Sequence, residues 1–295
     1  MRYFRPHDLG EALEYLEKNQ GETVKIMAGG QSLLVMLRLG LLHPDTIMSL
    51  SALEELRHIA IEPDGSLSIG SMVTHQRIAT DPVLSDYAPL LPRTARKVAA
   101  RQIRNLGTWG GNIAHGEPGS DPPASLIVSD AHVELRNRTR SRRVPIDQFF
   151  LDYMSTDIQP DELLTRIIIP PQPAHAKTMY LKHTLRDDGD LAICGVALRI
   201  VADDHGLIRD VRIGINGASL TPIRARRAED SLVGQFPDDT LFRQAGELAA
   251  TACDPMDDAE ASAEYRLAVV KALVRRALVE TFSEDGQGRV EGAKA

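Results

Sequence analysis

Apolar residues recur at Leu9, Ala12, Leu13 and Leu16, the spacing of one helix face. Asp8 is placed to cap and Glu11 stands three residues on, which predicts a helix over 8–19. Residues 23–28 are β-prone and run into Gly29-Gly30, after which the apolar run 33–39 is expected to be helical. Residues 45–50 read as another strand. The segments 58–62 and 67–71 flank Pro63-Asp64-Gly65-Ser66, a turn sequence, and predict a hairpin. Residues 74–79 predict a short helix, and 83–100 a helical stretch interrupted at Pro89 and Pro92. Further on come a helix over 124–129, a strand over 131–136 and a strong strand over 163–169, closed by Pro170-Pro171. Residues 170–177 form a linker. Beyond it the pattern changes: 179–185, 191–201 and 207–216 read as antiparallel strands, and 222–233, 240–252 and 261–282 as helices. Strands followed by helices describe a small α+β domain. The polar tail from 283 is expected to fray.

With 295 residues, 43% of them hydrophobic, the chain can bury a large core and divides more naturally into two domains than one. A net charge of -7 gives no field for nucleic acid or an acidic membrane. Cys194 and Cys253 are the only cysteines, so neither a disulfide framework nor a cysteine-ligated cluster is expected, and both read as small core residues. No stretch approaches the about 20 apolar residues of a membrane span, and residues 1–16 lack the continuous apolar run of a signal peptide. The expectation is a cytoplasmic protein. Arg136, Arg138, Arg140, Arg142 and Arg143 crowd one short segment, readable as a solvated turn or as a docking patch for an acidic partner.

Between the apolar blocks lies 102–124, with glycines at 107, 110, 111, 116 and 119 and prolines at 118, 122 and 123. Glycine and proline weaken helix and strand interiors, so a working loop is expected here. Asp121 reads as an N-cap with Pro122 at the first helical position. Gly110-Gly111 resembles the earlier Gly29-Gly30 turn, each being followed by small polar residues. Two such turns suggest two amide cradles for one ligand with two negative groups, and a diphosphate meets that description. On this reading, Gly110→Val strips the ligand and spares the fold. No GxGxxG, GxxxxGK[ST], HExxH or GxSxG pattern occurs, so a Rossmann, P-loop, zinc-protease or triad reading has no support. His115 is the one histidine whose position suggests ligand contact.

Four segments then point to a known family. They are Ala28-Gly29-Gly30-Gln31-Ser32-Leu33; Gln102-Ile103-Arg104-Asn105 through Gly110-Gly111-Asn112 to Pro118-Gly119-Ser120-Asp121; Lys182 with residues 186–190; and Ala263-Glu264-Tyr265-Arg266. Across about residues 1–285 the sequence resembles the flavin-binding medium subunit of the molybdenum hydroxylases, the group of aerobic carbon monoxide dehydrogenase, xanthine dehydrogenase and nicotinate-type dehydrogenases. The resemblance implies an α+β chain. Its first part is a two-part FAD-binding domain of the vanillyl-alcohol-oxidase (PCMH) type, residues 1–173 with subdomains of about 1–55 and 56–173. A C-terminal domain follows over 177–283, then a tail over 284–295.

It further implies non-covalent FAD. The amides of Gly29, Gly30, Gln31 and Ser32 and those of Thr108, Trp109, Gly110, Gly111 and Asn112 would hold the pyrophosphate, with Ala28 and Leu33 flanking the first turn. Ser120 and Asp121 would meet the ribityl chain or flavin ring, and Leu164 and Lys182 would lie near the isoalloxazine. Leu191 stands where the carbon monoxide enzymes place a tyrosine. Trp109 replaces a small aliphatic residue, and His115 stands where asparagine is common. The implied partners are a small subunit with [2Fe-2S] clusters and a large subunit with the molybdenum cofactor, as a dimer of heterotrimers. No catalytic side chain and no metal ligand is expected in this chain, whose flavin would pass electrons to an external acceptor. Two other readings stay open: a stand-alone FAD oxidase or dehydrogenase of the same fold, and a non-catalytic scaffold.

Overall fold

The structure, a computed structural model, describes residues 1–186 and 189–283, so part of the 186–190 segment and the 284–295 tail lie outside the described residues. Three sheets organise it. β1 (Arg2–Phe4), β2 (Val24–Met27) and β3 (Thr46–Ser49) make a parallel sheet in the order β1-β3-β2, which leaves β2 at an edge. β1, only three residues long, is too short to announce itself by alternation. The helix α1 (Leu9–Lys18) begins as expected: the Asp8 carboxylate accepts the Glu11 amide at 2.8 Å. Leu9, Ala12, Leu13 and Leu16 pack on Met48 and Leu50, with Val24 and Ile26 at the margin of the same core. The short α2 (Leu33–Arg38) follows the first glycine turn.

A five-stranded sheet holds the central core. It runs β4 (Ile59–Ile61), β5 (Leu67–Gly70), β10 (Leu163–Ile169), β6 (His132–Arg136), β7 (Ser141–Pro145) in spatial order, with antiparallel neighbours throughout. A small hairpin, β8 (Phe150–Asp152) with β9 (Ser155–Thr156), lies apart from it. The helices between β5 and β6 are α3 (His75–Thr80), α4 (Pro82–Tyr87), α5 (Leu90–Lys97), α6 (Arg101–Leu106), α7 (Trp109–His115) and α8 (Asp121–Val128); the single turn α9 (Ile146–Phe149) follows β7. The glycine-rich centre is therefore mostly helical, not a loop. Tertiary packing overrides the intrinsic cost of glycine, about 1 kcal/mol in a helix. Gly116, at φ +69, closes α7. Ser120, not Asp121, is the N-cap of α8, and Asp121 opens the helix.

The third sheet, β11 (Lys177–His183), β12 (Cys194–Ala202), β13 (Ile208–Asn216) and β14 (Ile223–Arg224), is antiparallel in sequence order. Its core is shared with α10 (Arg226–Leu232), α11 (Asp239–Ala250) and α12 (Ala263–Ser283). β14 occupies the start of the segment expected to be helical, because Ile223 and Arg224 extend the sheet beside Ile215 and Gly214. No helix among the described residues is long and apolar enough to cross a membrane.

Every residue of α8 is buried, because the helix is wedged between the central core and the third sheet. Gly214 of β13 lies so close that a Cβ there would sit 2.5 Å from the Ala124 carbonyl oxygen. At the far end of α8, Asp130 (φ +51) holds three arginines of the third sheet: Arg199 at 3.0 Å, Arg224 at 3.4 Å and Arg212 at 3.5 Å. Asp130→Asn tolerates the same backbone and removes only the charge. It is expected to lower stability by about 1 kcal/mol, since the carboxylate is partly exposed, and to leave ligand affinity at the parent value. Thermal unfolding with and without flavin checks both. Two of the five clustered arginines pair within the chain: Arg138 with Glu17 of α1 at 3.0 Å on the surface, and Arg142 with the buried Glu162 at 2.8 Å.

Candidate functional site

The edge of the first sheet faces the start of α7 across a cleft of about 590 Å³. Its walls come from residues 24–26 and 28–33, from Ser71 and His75, from Val98, Ala99, Ile103, Gly107, Thr108, Gly111, Asn112 and His115, from the 154–164 segment and from Leu191. The two glycine turns meet at this cleft. A Cβ on Gly29 would lie 2.1 Å from the Leu106 carbonyl oxygen, and one on Gly111 would lie 3.2 Å from the Ala28 Cβ. The lack of a side chain at Gly29 thus lets the first turn close on the α6–α7 junction. Gly30 follows in the left-handed region at φ +72, which aims the next amides outward.

The two turns are not equivalent. Among the described residues the amides of Gly30, Gln31, Ser32 and Leu33 have no acceptor within the protein. In the second turn the Trp109 amide donates to Val73 O at 3.0 Å, Gly110 to Ser71 O at 3.1 Å, Gly111 to Thr108 Oγ1 at 3.1 Å and Asn112 to Thr108 O at 2.9 Å. The expectation of two amide cradles is corrected to one. The second turn contributes the Thr108, Gly111 and Asn112 surface instead. Trp109 is fully buried in the central core, and Gly110 is pressed against Ser71, where a Cβ would come within 2.4 Å of Ser71 Cβ. Neither lines the cleft.

Twelve of the anticipated residues do line it: Ala28, Gly29, Gly30, Gln31, Ser32, Leu33, Thr108, Gly111, Asn112, His115, Leu164 and Leu191. Ser120, Asp121 and Lys182 do not. Ser120 receives a hydrogen bond from Asn112 Nδ2 at 3.2 Å. Asp121 binds the third sheet: Tyr180 Oη donates to Oδ1 at 2.6 Å and Lys182 Nζ to Oδ2 at 2.8 Å. Lys182 also donates to the carbonyls of Asp190 at 2.8 Å and Lys97 at 3.1 Å. Burial pushes the Asp121 carboxyl above its usual range, against the pull of Lys182 and Tyr180. Asp121 and Lys182 thus tie the start of α8 to the third sheet.

Ser71, His75 and Glu162 were not anticipated. No motif marks them, and only the fold brings them to the wall. Ser71 Oγ, His75 Nδ1 and Asn112 Oδ1 are buried without a hydrogen-bond partner. Such an atom costs about 1–3 kcal/mol, and a wall carrying three of them, beside four open amides, fits an elongated ligand with its own polar groups and an anionic centre. His75 is uncharged, its pKa pushed down to about 3 by burial and by Arg104. Burial likewise lowers His115. No group of three histidine, cysteine or acidic side chains able to hold a metal occurs among the described residues.

Comparison with known proteins agrees with this geometry. The family described as "FAD binding domain in molybdopterin dehydrogenase" matches residues 1–172, and "CO dehydrogenase flavoprotein C-terminal domain" matches 179–281. The glyceraldehyde dehydrogenase medium chain of Sulfolobus acidocaldarius is 34% identical over 278 residues, 94% of this chain and 97% of that one. Among solved structures, carbon monoxide dehydrogenase of Hydrogenophaga pseudoflava superposes with a TM-score of 0.92 at 32% identity, covering 96% of this chain and 97% of that chain. Quinoline 2-oxidoreductase of Pseudomonas putida 86 gives 0.90 at 31% identity, covering 96% and 97%.

Proposed function

The chain belongs to the FAD-binding medium subunits of the molybdenum hydroxylase family, and on that premise we propose that its cleft holds FAD non-covalently for electron transfer within a larger enzyme. The observation that carries the site is the run of open amides at Gly30, Gln31, Ser32 and Leu33, facing the Thr108–Gly111–Asn112 surface across the cleft. Those amides suit a diphosphate, whose charge needs donors without a competing acceptor. Asn112, Ser71 and His75 offer polar atoms for the rest of the molecule. Leu164 and Leu191 bring apolar surface suited to a ring system. Bound there, FAD supplies a centre able to exchange one or two electrons.

The protein's part is to bind, orient and screen. Among the described residues Glu162 is the one carboxylate on the wall, and it is gripped by Arg142 and therefore makes a poor base for a substrate of the chain's own. This favours a subunit over a stand-alone oxidase. We assign as partners a small subunit with [2Fe-2S] clusters as electron donor and a large subunit with the molybdenum cofactor, in a dimer of heterotrimers in the cytoplasm. An external acceptor takes the electrons.

The purified chain is expected to be yellow and to release all its flavin on acid precipitation, and both other subunits should accompany it from its native source. Flavin retained in the pellet, or none at all, defeats the non-covalent FAD reading. Full substrate turnover by the lone chain, free of metal on elemental analysis, defeats the subunit reading.

A further inference from the structure

Among the described residues, the titratable side chains on the cleft wall are Lys25, His75, His115 and Glu162. Three of them bring no free charge. Arg142 Nε and Nη2 donate to Glu162 Oε1 and Oε2, both at 2.8 Å, and the Gln159 amide adds a third bond at 3.0 Å. Burial would raise the Glu162 carboxyl, but these bonds win and hold it below the usual range, with the Arg142 charge opposite. His75 and His115 are both held toward the neutral imidazole by burial. Lys25 differs: its ammonium makes no hydrogen bond or ion pair with any described residue, in a chain of net charge -7.

Its placement follows from the strand. Lys25 sits on β2 between Val24 and Ile26, which pack at the margin of the first core, and all three line the cleft. Gly29, beyond the end of β2, lines the same cleft and abuts the Leu106–Gly107 backbone. Lys25 is half-buried and stands on the strand that feeds the open amides of residues 30–33.

We propose that Lys25 is the cationic contact for the ligand's diphosphate, biasing this cleft toward FAD over uncharged flavins; the inference rests on the FAD reading above. Backbone amides alone offer direction but no net charge. A single lysine beside them adds a charge-assisted contact in a site where no neighbouring acid competes for it.

The test titrates apoprotein with FAD and, separately, with riboflavin, from about 0.05 to 0.5 M salt, a range over which the Debye length shrinks severalfold. Lys25→Gln is expected to weaken FAD about tenfold at low salt and to flatten the salt dependence, with riboflavin affinity unchanged. Lys25→Arg is expected to keep both affinity and slope. Parent-like FAD affinity and slope in Lys25→Gln would overturn the assignment, as would an equal loss of riboflavin or an Arg variant as weak as the Gln variant. A parent chain that takes up no FAD sinks the cofactor reading itself; a parent that binds FAD beside an unaffected variant sinks only the role of Lys25.

Discussion

Gly110→Ala is expected to damage the fold rather than the cofactor site, by about 3 kcal/mol or more. A Cβ at this position meets Ser71 Cβ at 2.4 Å, Ser71 Cα at 2.6 Å and Ser71 O at 2.6 Å. Two of these three atoms are backbone, so no rotamer change relieves the contact. The same Ser71 oxygen accepts the Gly110 amide, and Trp109 beside it is fully buried in the central core. Pushing α7 away from Ser71 therefore breaks a hydrogen bond and opens the core together. Gly111→Ala is the contrast. Its Cβ would meet Thr108 Oγ1 at 2.8 Å, a hydroxyl that can rotate aside only by giving up its cap bond from the Gly111 amide, a loss of about 1 kcal/mol, and Ala28 Cβ at 3.2 Å on the cleft wall. That variant should keep most of its stability and lose flavin affinity. Thermal unfolding of the two apoproteins decides: a drop of about 10 °C in the first and little in the second is expected. A Gly110→Ala chain that melts like the parent, or a Gly111→Ala chain that melts as early as Gly110→Ala, would refute this division of roles.

The same pair shows what the sequence could and could not tell. Elements built on local rules were legible: the Asp8-capped helix with its four-residue apolar face, the Pro63–Ser66 hairpin, and β10, whose bounds coincide with the 163–169 apolar run. The convergence of the two glycine turns was also legible, because two similar turns in one chain suggested one ligand. Which glycine does what was not. Gly29 and Gly110 are small because other backbone lies against them, at Leu106 and Ser71, and those neighbours are 77 and 39 positions away. Composition cannot separate a glycine that admits a ligand from one that admits a strand. For the same reason the helical state of α6 and α7 was hidden, since propensity argued for a loop and only Val73, Ser71 and Thr108 supply the acceptors and cap that make α7 hold. His75 and Ser71 reach the cleft wall through the β5–α3 connection, which carries no motif of its own.

Asp121 and Lys182, which the family resemblance puts near the flavin, are paired with each other at 2.8 Å, and they give the second large expected effect. Lys182→Met should destabilise the protein by about 3–5 kcal/mol at neutral pH, because it leaves the buried Asp121 carboxylate with Tyr180 as its remaining side-chain partner. The pH dependence follows from the direction of the Asp121 shift. Burial already raises its folded pKa above the ordinary carboxylate value, so the folded state holds its proton more tightly than the unfolded chain. The group's contribution then falls as pH rises from the unfolded value, about 3.9, through the raised folded one. Removing Lys182 takes away the charge that restrained this shift, so the folded pKa climbs further and the window widens upward. The stability gap between parent and Lys182→Met should be small near pH 4 and full in neutral solution. Adding Asp121→Asn to Lys182→Met should recover part of the loss, since an amide needs no counter-charge. Denaturant unfolding of the parent, the single variant and the double variant at both pH values reads all three expectations. A gap that does not change with pH, or a double variant no more stable than Lys182→Met, would show that Lys182 matters through its bonds to the Asp190 and Lys97 carbonyls rather than through Asp121.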